Sequence, residues 1–106
     1  MSAQIVIVWT TVADADQAAE LASRLVEDGL VACAQVDGAP IRSVYRWEGR
    51  VESAAEYRVG LKLPAHAVAR LRNRLHELHP YEVPEFVVQD ATASDAYARW
   101  VNESCP

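Results

Sequence analysis

The first apolar run, Ile5-Val6-Ile7-Val8-Trp9, sits in a β-branched segment from Gln4 to Thr11 that shows no polar alternation. That pattern predicts a strand covered on both faces or placed centrally in a sheet. The period then changes. Ala18, Leu21, Ala22, Leu25 and Val26 recur at helical spacing and make one apolar stripe. Asp14 is the expected N-cap, with Gln17 in capping-box spacing. Glu20 and Arg24 form an i,i+4 pair on the outer side. Gly29 suits the position just past the helix end. A second strand is expected over Leu30 to Val36. Asp37-Gly38-Ala39-Pro40 breaks it, and extended chain resumes over Ile41 to Trp47. Glu48-Gly49-Arg50 supplies a turn. On the return, Tyr57, Val59, Leu61 and Leu63 alternate with Arg58, Gly60 and Lys62, which completes a long hairpin with one polar face.

Pro64 opens a second helix, where a missing N–H costs nothing. Its stripe is Val68, Leu71, Leu75 and Leu78, and Arg70, Arg72 and Arg74 crowd its exposed side. The helix should end at His79, because a residue before proline is pushed out of the α region. Phe86-Val87-Val88 reads as a fourth, buried strand. A last helix is expected from Ser94 to Asn102, capped by Thr92 or Ser94, with Tyr97, Trp100 and Val101 facing inward.

The order β-α-β-β-α-β, then α, predicts an α+β, ferredoxin-like split β-α-β sandwich over residues 1–106, a single domain. A long hairpin joins its second and third strands. Helices would cover one face of the antiparallel sheet. The other face would be bare, carrying Tyr57, Val59, Leu61 and hairpin aromatics. A bare apolar sheet face predicts burial against other subunits.

Composition narrows the function classes. The 106 residues are 51% hydrophobic and 24% charged, which excludes an intrinsically disordered chain. Ten basic against fifteen acidic residues give a net charge of −5, so a nucleic-acid partner is not expected. No apolar run approaches the ~20 residues of a membrane helix, and no basic n-region precedes the first run. No membrane partner is expected. The two cysteines, Cys33 and Cys105, are far apart with no C-x-x-C. Both are read as reduced thiols in a cytoplasmic protein, Cys33 as a buried inert thiol and Cys105 as exposed and mobile.

The densest chemistry is His79-Pro80-Tyr81-Glu82-Val83-Pro84-Glu85. Two prolines fix its backbone. An imidazole with carboxylates is a reasonable ligand set for Zn²⁺ or Cu²⁺. A rigid loop whose His and Glu only cap and solvate is the alternative. Tyr45-Arg46-Trp47-Glu48-Gly49 lies near the hairpin tip, followed by Glu52 and Glu56. It could line a pocket or fill a partner's groove, or be ordinary hairpin packing. His66 and His76 read as solvated. No phosphate loop, zinc-protease motif or nucleophile elbow is present, so nothing supports an enzyme.

Together these segments resemble the CutA family, the divalent-cation tolerance proteins. The resemblance runs from Ile5 to Asn102. It rests on Thr10-Thr11, Leu30-Val31-Ala32-Cys33, Ser43-x-Tyr45-x-Trp47-Glu48-Gly49, Leu61-Lys62, His79-Pro80-Tyr81-Glu82-x-Pro84-Glu85 and Tyr97 to Trp100. The resemblance implies the ferredoxin-like fold, a compact homotrimer similar in architecture to PII-type signalling proteins, and no catalytic activity. It implies a link to copper and other divalent metals, with no obligatory cofactor. Some members carry a cysteine at the position of Thr10 and a second histidine at that of Leu78. Here only His79 remains, so the implied metal set is a weak one: His79, Glu82 and Glu85. The implied inter-subunit cleft holds Tyr45, Trp47, Glu48, Glu56, Lys62 and Tyr81. The alternative function is a PII-like trimeric sensor or scaffold that binds a small ligand or partner protein in that cleft.

Overall fold

The computed structural model describes residues 2–106. Strand β1 (Ser2–Val12) leads into helix α1 (Ala15–Glu27). The Asp14 carboxylate caps α1 by accepting the Gln17 N–H at 2.8 Å. Gly29 leaves the helix at φ 71°, a left-handed conformation that glycine adopts without a Cβ penalty. Then come β2 (Cys33–Val36), β3 (Ile41–Trp47) and β4 (Arg50–Leu63). A 3₁₀ turn (Ala65–Ala67) behind Pro64 enters α2 (Val68–Leu78). Strand β5 (Val87–Ser94) and helix α3 (Asp95–Glu103) complete the fold. The strands run antiparallel in the order β2-β4-β1-β5, with β3 paired to the far half of β4. This is the expected ferredoxin-like plan with its C-terminal helix.

Register decides which residues meet the helices. Val6, Val8, Thr10 and Val12 of β1 lie opposite Leu63, Leu61, Val59 and Tyr57 of β4. Directly opposed residues share a face. These apolar side chains join Leu21, Leu25, Leu71 and Leu75 in one buried cluster. The expected bare face is therefore corrected. Val59 and Leu61 are fully buried, and Tyr57 packs against the same core. With a period of two, Trp9, Arg58, Gly60 and Lys62 occupy the opposite face. That face is not wholly bare either. Ile5 on it is buried, and Lys62 Nζ sits 5.6 Å from the Tyr97 ring of α3.

Other expectations change with the sheet. Strand β5 is longer than Phe86-Val87-Val88 and is not buried, because among the described residues it pairs with β1 alone and leaves its outer edge free. Thr92 lies within β5, and Ser94 caps α3 through the Tyr97 N–H at 3.2 Å. Val26 and Trp100 leave their stripes for the surface, while Ala98 and Val101 hold α3 to the core. Cys33 is only half-buried. Cys105 is 1% exposed, the reverse of the expected mobile thiol. The chain after α3 folds back, and Arg70 donates to the Pro106 carbonyl at 3.1 Å.

The hairpin becomes an arm. The β1–β4 pairing stops at Val12 opposite Tyr57, whereas β3 and β4 pair on from Ile41–Glu56 to Trp47–Arg50. Glu48 and Gly49 close it with φ 51° and 78°, the two positive values of a type I′ turn. One face of the arm carries Ile41, Ser43, Tyr45, Trp47, Glu52, Ala54 and Glu56. The other carries Arg42, Val44, Arg46, Val51, Ser53 and Ala55. Neither face is simply polar.

Candidate functional site

Helix α2 stops where the sequence requires. His79, before Pro80, takes φ −78° and ψ 134°, and its N–H still closes the helix on Leu75 O at 2.8 Å. The extended backbone swings the His79 ring under the sheet end, where it is 7% exposed. Its Nε2 lies 2.8 Å from the Thr11 carbonyl. The Tyr81 N–H reaches Nδ1 at 3.2 Å. An amide N–H can only donate, so Nδ1 is the acceptor. Nε2 therefore carries the hydrogen and donates to Thr11. Burial holds this imidazole below its ordinary pKa, against the opposing pull of the Thr11 bond and the Glu56 charge.

Tyr81 extends the chain of bonds. Its ring meets His79 edge-on, 4.8 Å between centroids at 62°. Its phenol donates to Glu56 Oε2 at 2.7 Å. Burial, then that bond and the Glu56 charge, then Tyr45 all push the phenol above the ordinary tyrosine range. Glu56 is 7% exposed at the root of the arm. Burial raises the Glu85 carboxyl, the Glu56 charge raises it further, and Arg58 opposes both. Thr11, His79, Tyr81 and Glu56 thus tie the end of β1, the proline-bounded loop and the root of the arm together.

The expected residues are only partly gathered. Glu56 and Tyr81 are bonded, and Tyr45 lies on the Glu56 face of the arm. Trp47 and Glu48 are out at the arm's tip. Lys62 is six residues beyond Glu56 on β4, about 20 Å along a strand, stacked on Tyr97 instead. Glu82 is exposed. Among the described residues no three His, Cys, Asp or Glu side chains form a group able to hold a metal ion. His79, Glu82 and Glu85 therefore do not close around a cation within one chain, and both His79 nitrogens are spent. Thr10 does not complete the set. Its buried Oγ1 has no partner among the described residues, but it belongs to the helix-covered face, opposite in parity to Thr11.

One cluster escaped the sequence reading. Trp9 donates through Nε1 to Gln89 at 2.8 Å, and the Arg58 guanidinium stacks 4.9 Å from its ring. Arg58 is held in turn by Asp37 at 3.4 Å. Gly60 makes room: a Cβ there would meet Trp9 Cζ3 at 2.9 Å. A glycine inside a strand pattern is the signal that marks such close approach.

Residues 6–104 match the family model described as CutA1 divalent ion tolerance protein. The chain is 35% identical over 99 residues to the divalent-cation tolerance protein CutA of Thermus thermophilus, covering 92% of this chain and 95% of that one. It is 33% identical over 100 residues to the Pyrococcus horikoshii protein of the same name, covering 93% and 96%. The solved structure of the Thermus thermophilus protein superposes with a TM-score of 0.91 at 34% identity, covering 96% of this chain and 99% of that one. The CutA structure of Synechococcus elongatus gives 0.90 at 33%, covering 98% and 92%. By motif, by overall likeness and by fold, the chain belongs to the CutA1 divalent ion tolerance family.

Proposed function

We propose that the chain acts in divalent-cation tolerance as a non-enzymatic homotrimer in the cytoplasm, with both thiols reduced. Family membership supports the cation role. The observation that carries the assembly is the arm. Val44 and Val51 are 65% and 67% exposed on it, and Tyr45 and Trp47 are exposed on its other face. A two-stranded ribbon with apolar residues on both faces is marginal alone and calls for a covering partner. The free edge of β5 has the same need. Copper or another divalent cation binds weakly, through the carboxylates of Glu82 and Glu85. Two carboxylates without a free imidazole make a low-affinity donor set.

A second reading has one observation in its favour. Tyr81 is bonded to Glu56 at the root of the arm, with Tyr45 farther out on the Glu56 face and, among the described residues, no metal set beside them, which suits a small polar ligand in an inter-subunit cleft of the PII type. Light scattering on chelator-stripped protein, followed by calorimetric titration with Cu²⁺, Zn²⁺ and Ni²⁺, tests the main reading. It expects the mass of three chains and weak, saturable heat. A monomer removes the assembly. No heat with any ion removes cation binding and moves the search to metabolites, whose binding would raise the melting temperature by mass action.

A further inference from the structure

We infer that His79 is not a cation ligand in this protein but the neutral pin that fixes the loop after α2, so that any divalent cation the chain takes is held without an imidazole from this position. The inference concerns the same loop as the reading above and refines it. Three observations carry it. Both ring nitrogens are already used, Nε2–H on the Thr11 carbonyl at 2.8 Å and Nδ1 under the Tyr81 N–H at 3.2 Å. A metal needs a lone pair, and only Nδ1 has one. Taking it would orphan the Tyr81 N–H and pull Tyr81 off Glu56, leaving a buried carboxylate short of its partner. Next, the ring is 7% exposed in one chain, and assembly can only cover it further. Finally, Pro80 keeps the His79 backbone extended at φ −78° and ψ 134°, the conformation in which the ring meets Thr11 and the Tyr81 N–H while the His79 N–H closes α2.

The groups facing His79 are consistent with this. Glu56 from β4 attracts a proton, His76 from α2 repels one, and Thr11 from β1 offers only a carbonyl. Among the described residues these groups do not assemble with His79 into a set of three metal donors.

The test uses intact protein stripped with chelator. Long-range ¹H–¹⁵N spectra of its imidazoles are recorded with and without Zn²⁺, alongside calorimetry of wild type and His79→Gln with Cu²⁺ and Zn²⁺. The expected spectrum shows His79 as the Nε2–H tautomer, unchanged when Zn²⁺ saturates. The expected affinity of His79→Gln is within about twofold of wild type, under the 1.4 kcal/mol of a tenfold change. A Zn²⁺-dependent shift of the His79 ring nitrogens overturns the inference, as does a tenfold loss of affinity in a folded variant whose loop amides at Glu82 and Glu85 keep their wild-type shifts. Where His79→Gln fails to fold, the wild-type spectra decide alone. Where wild type binds no ion and His79 keeps its tautomer, the pin stands and the cation-binding reading falls, so the two failures are distinct.

Discussion

A buried neutral imidazole ties folding to pH. His79 is held below its ordinary value of 6.5 in the folded chain, so between those two values the unfolded chain binds more protons. Its contribution to stability is complete above pH 6.5 and is lost as pH falls through the lowered folded value. Glu85 works with the opposite sign. Its carboxyl is raised above 4.5, so its protonation favours the fold in the window just above that. Urea midpoints measured at fixed protein concentration should drop as pH falls below 6.5. The drop should shrink in His79→Gln, which should itself cost about 1–3 kcal/mol at neutral pH by leaving buried groups unpaired. Identical pH slopes for the two proteins would refute the assignment. The sequence made His79, Tyr81 and Glu56 visible as polar groups but could not choose between ligand and pin. That choice rests on the Thr11 carbonyl, 68 positions away, and a backbone oxygen leaves no mark on residue identity.

Elements were legible where period and punctuation agreed. The stripes of α1 and α2, the Asp14 cap and the Pro80 stop are local signals, and the structure keeps them apart from Val26. The alternation in β4 was legible too, but not its direction. Period two identifies two faces without saying which one meets the helices, so Val59 and Leu61 changed sides. Strand β5 is not legible in the same way, because Phe86-Val87-Val88 is as apolar as a central strand, yet its place at the edge is a property of the sheet. The end of the chain was hardest. Cys105, next to Pro106, has nothing local to mark burial, yet it joins Ala98 and Val101 in the buried core. Burial also raises the Cys105 thiol, against the pull of Arg70, which leaves less reactive thiolate. Iodoacetamide labelling of native protein, read by peptide mass, should modify half-buried Cys33 at least tenfold faster than Cys105. Equal rates, with equal rates again in urea, would mean that the segment after α3 does not pack into the core.

At the scale of the molecule, one dimension stands out. The chain extends 46 × 25 × 25 Å. The seven pairs of the arm, Ile41–Glu56 through Trp47–Arg50, supply about 20 Å of that length at strand rise. The body has a continuous core to hold it, and the arm has none. What holds the arm's strands together in one chain is their ladder, the tight turn at Glu48-Gly49, and exposed bonds from Arg42 to Ser53 at 3.0 Å and from Arg46 to the Gly49 carbonyl at 3.4 Å. Its valines gain nothing from folding until something covers them. If other copies of the chain do so, charges placed there oppose association directly, because a buried carboxylate without a partner is costly. Val44→Glu with Val51→Glu lies on one arm face, away from Glu56 and Tyr81, and leaves the body's core untouched. Light scattering should then find the mass of a single chain in place of the three that the proposed trimer requires. Circular dichroism should show the helices retained and only arm strand signal reduced, and near-complete deuterium exchange should be confined to residues 41–56. A variant that keeps the wild-type mass would place these valines outside the subunit contact and leave assembly to the Tyr45 and Trp47 face.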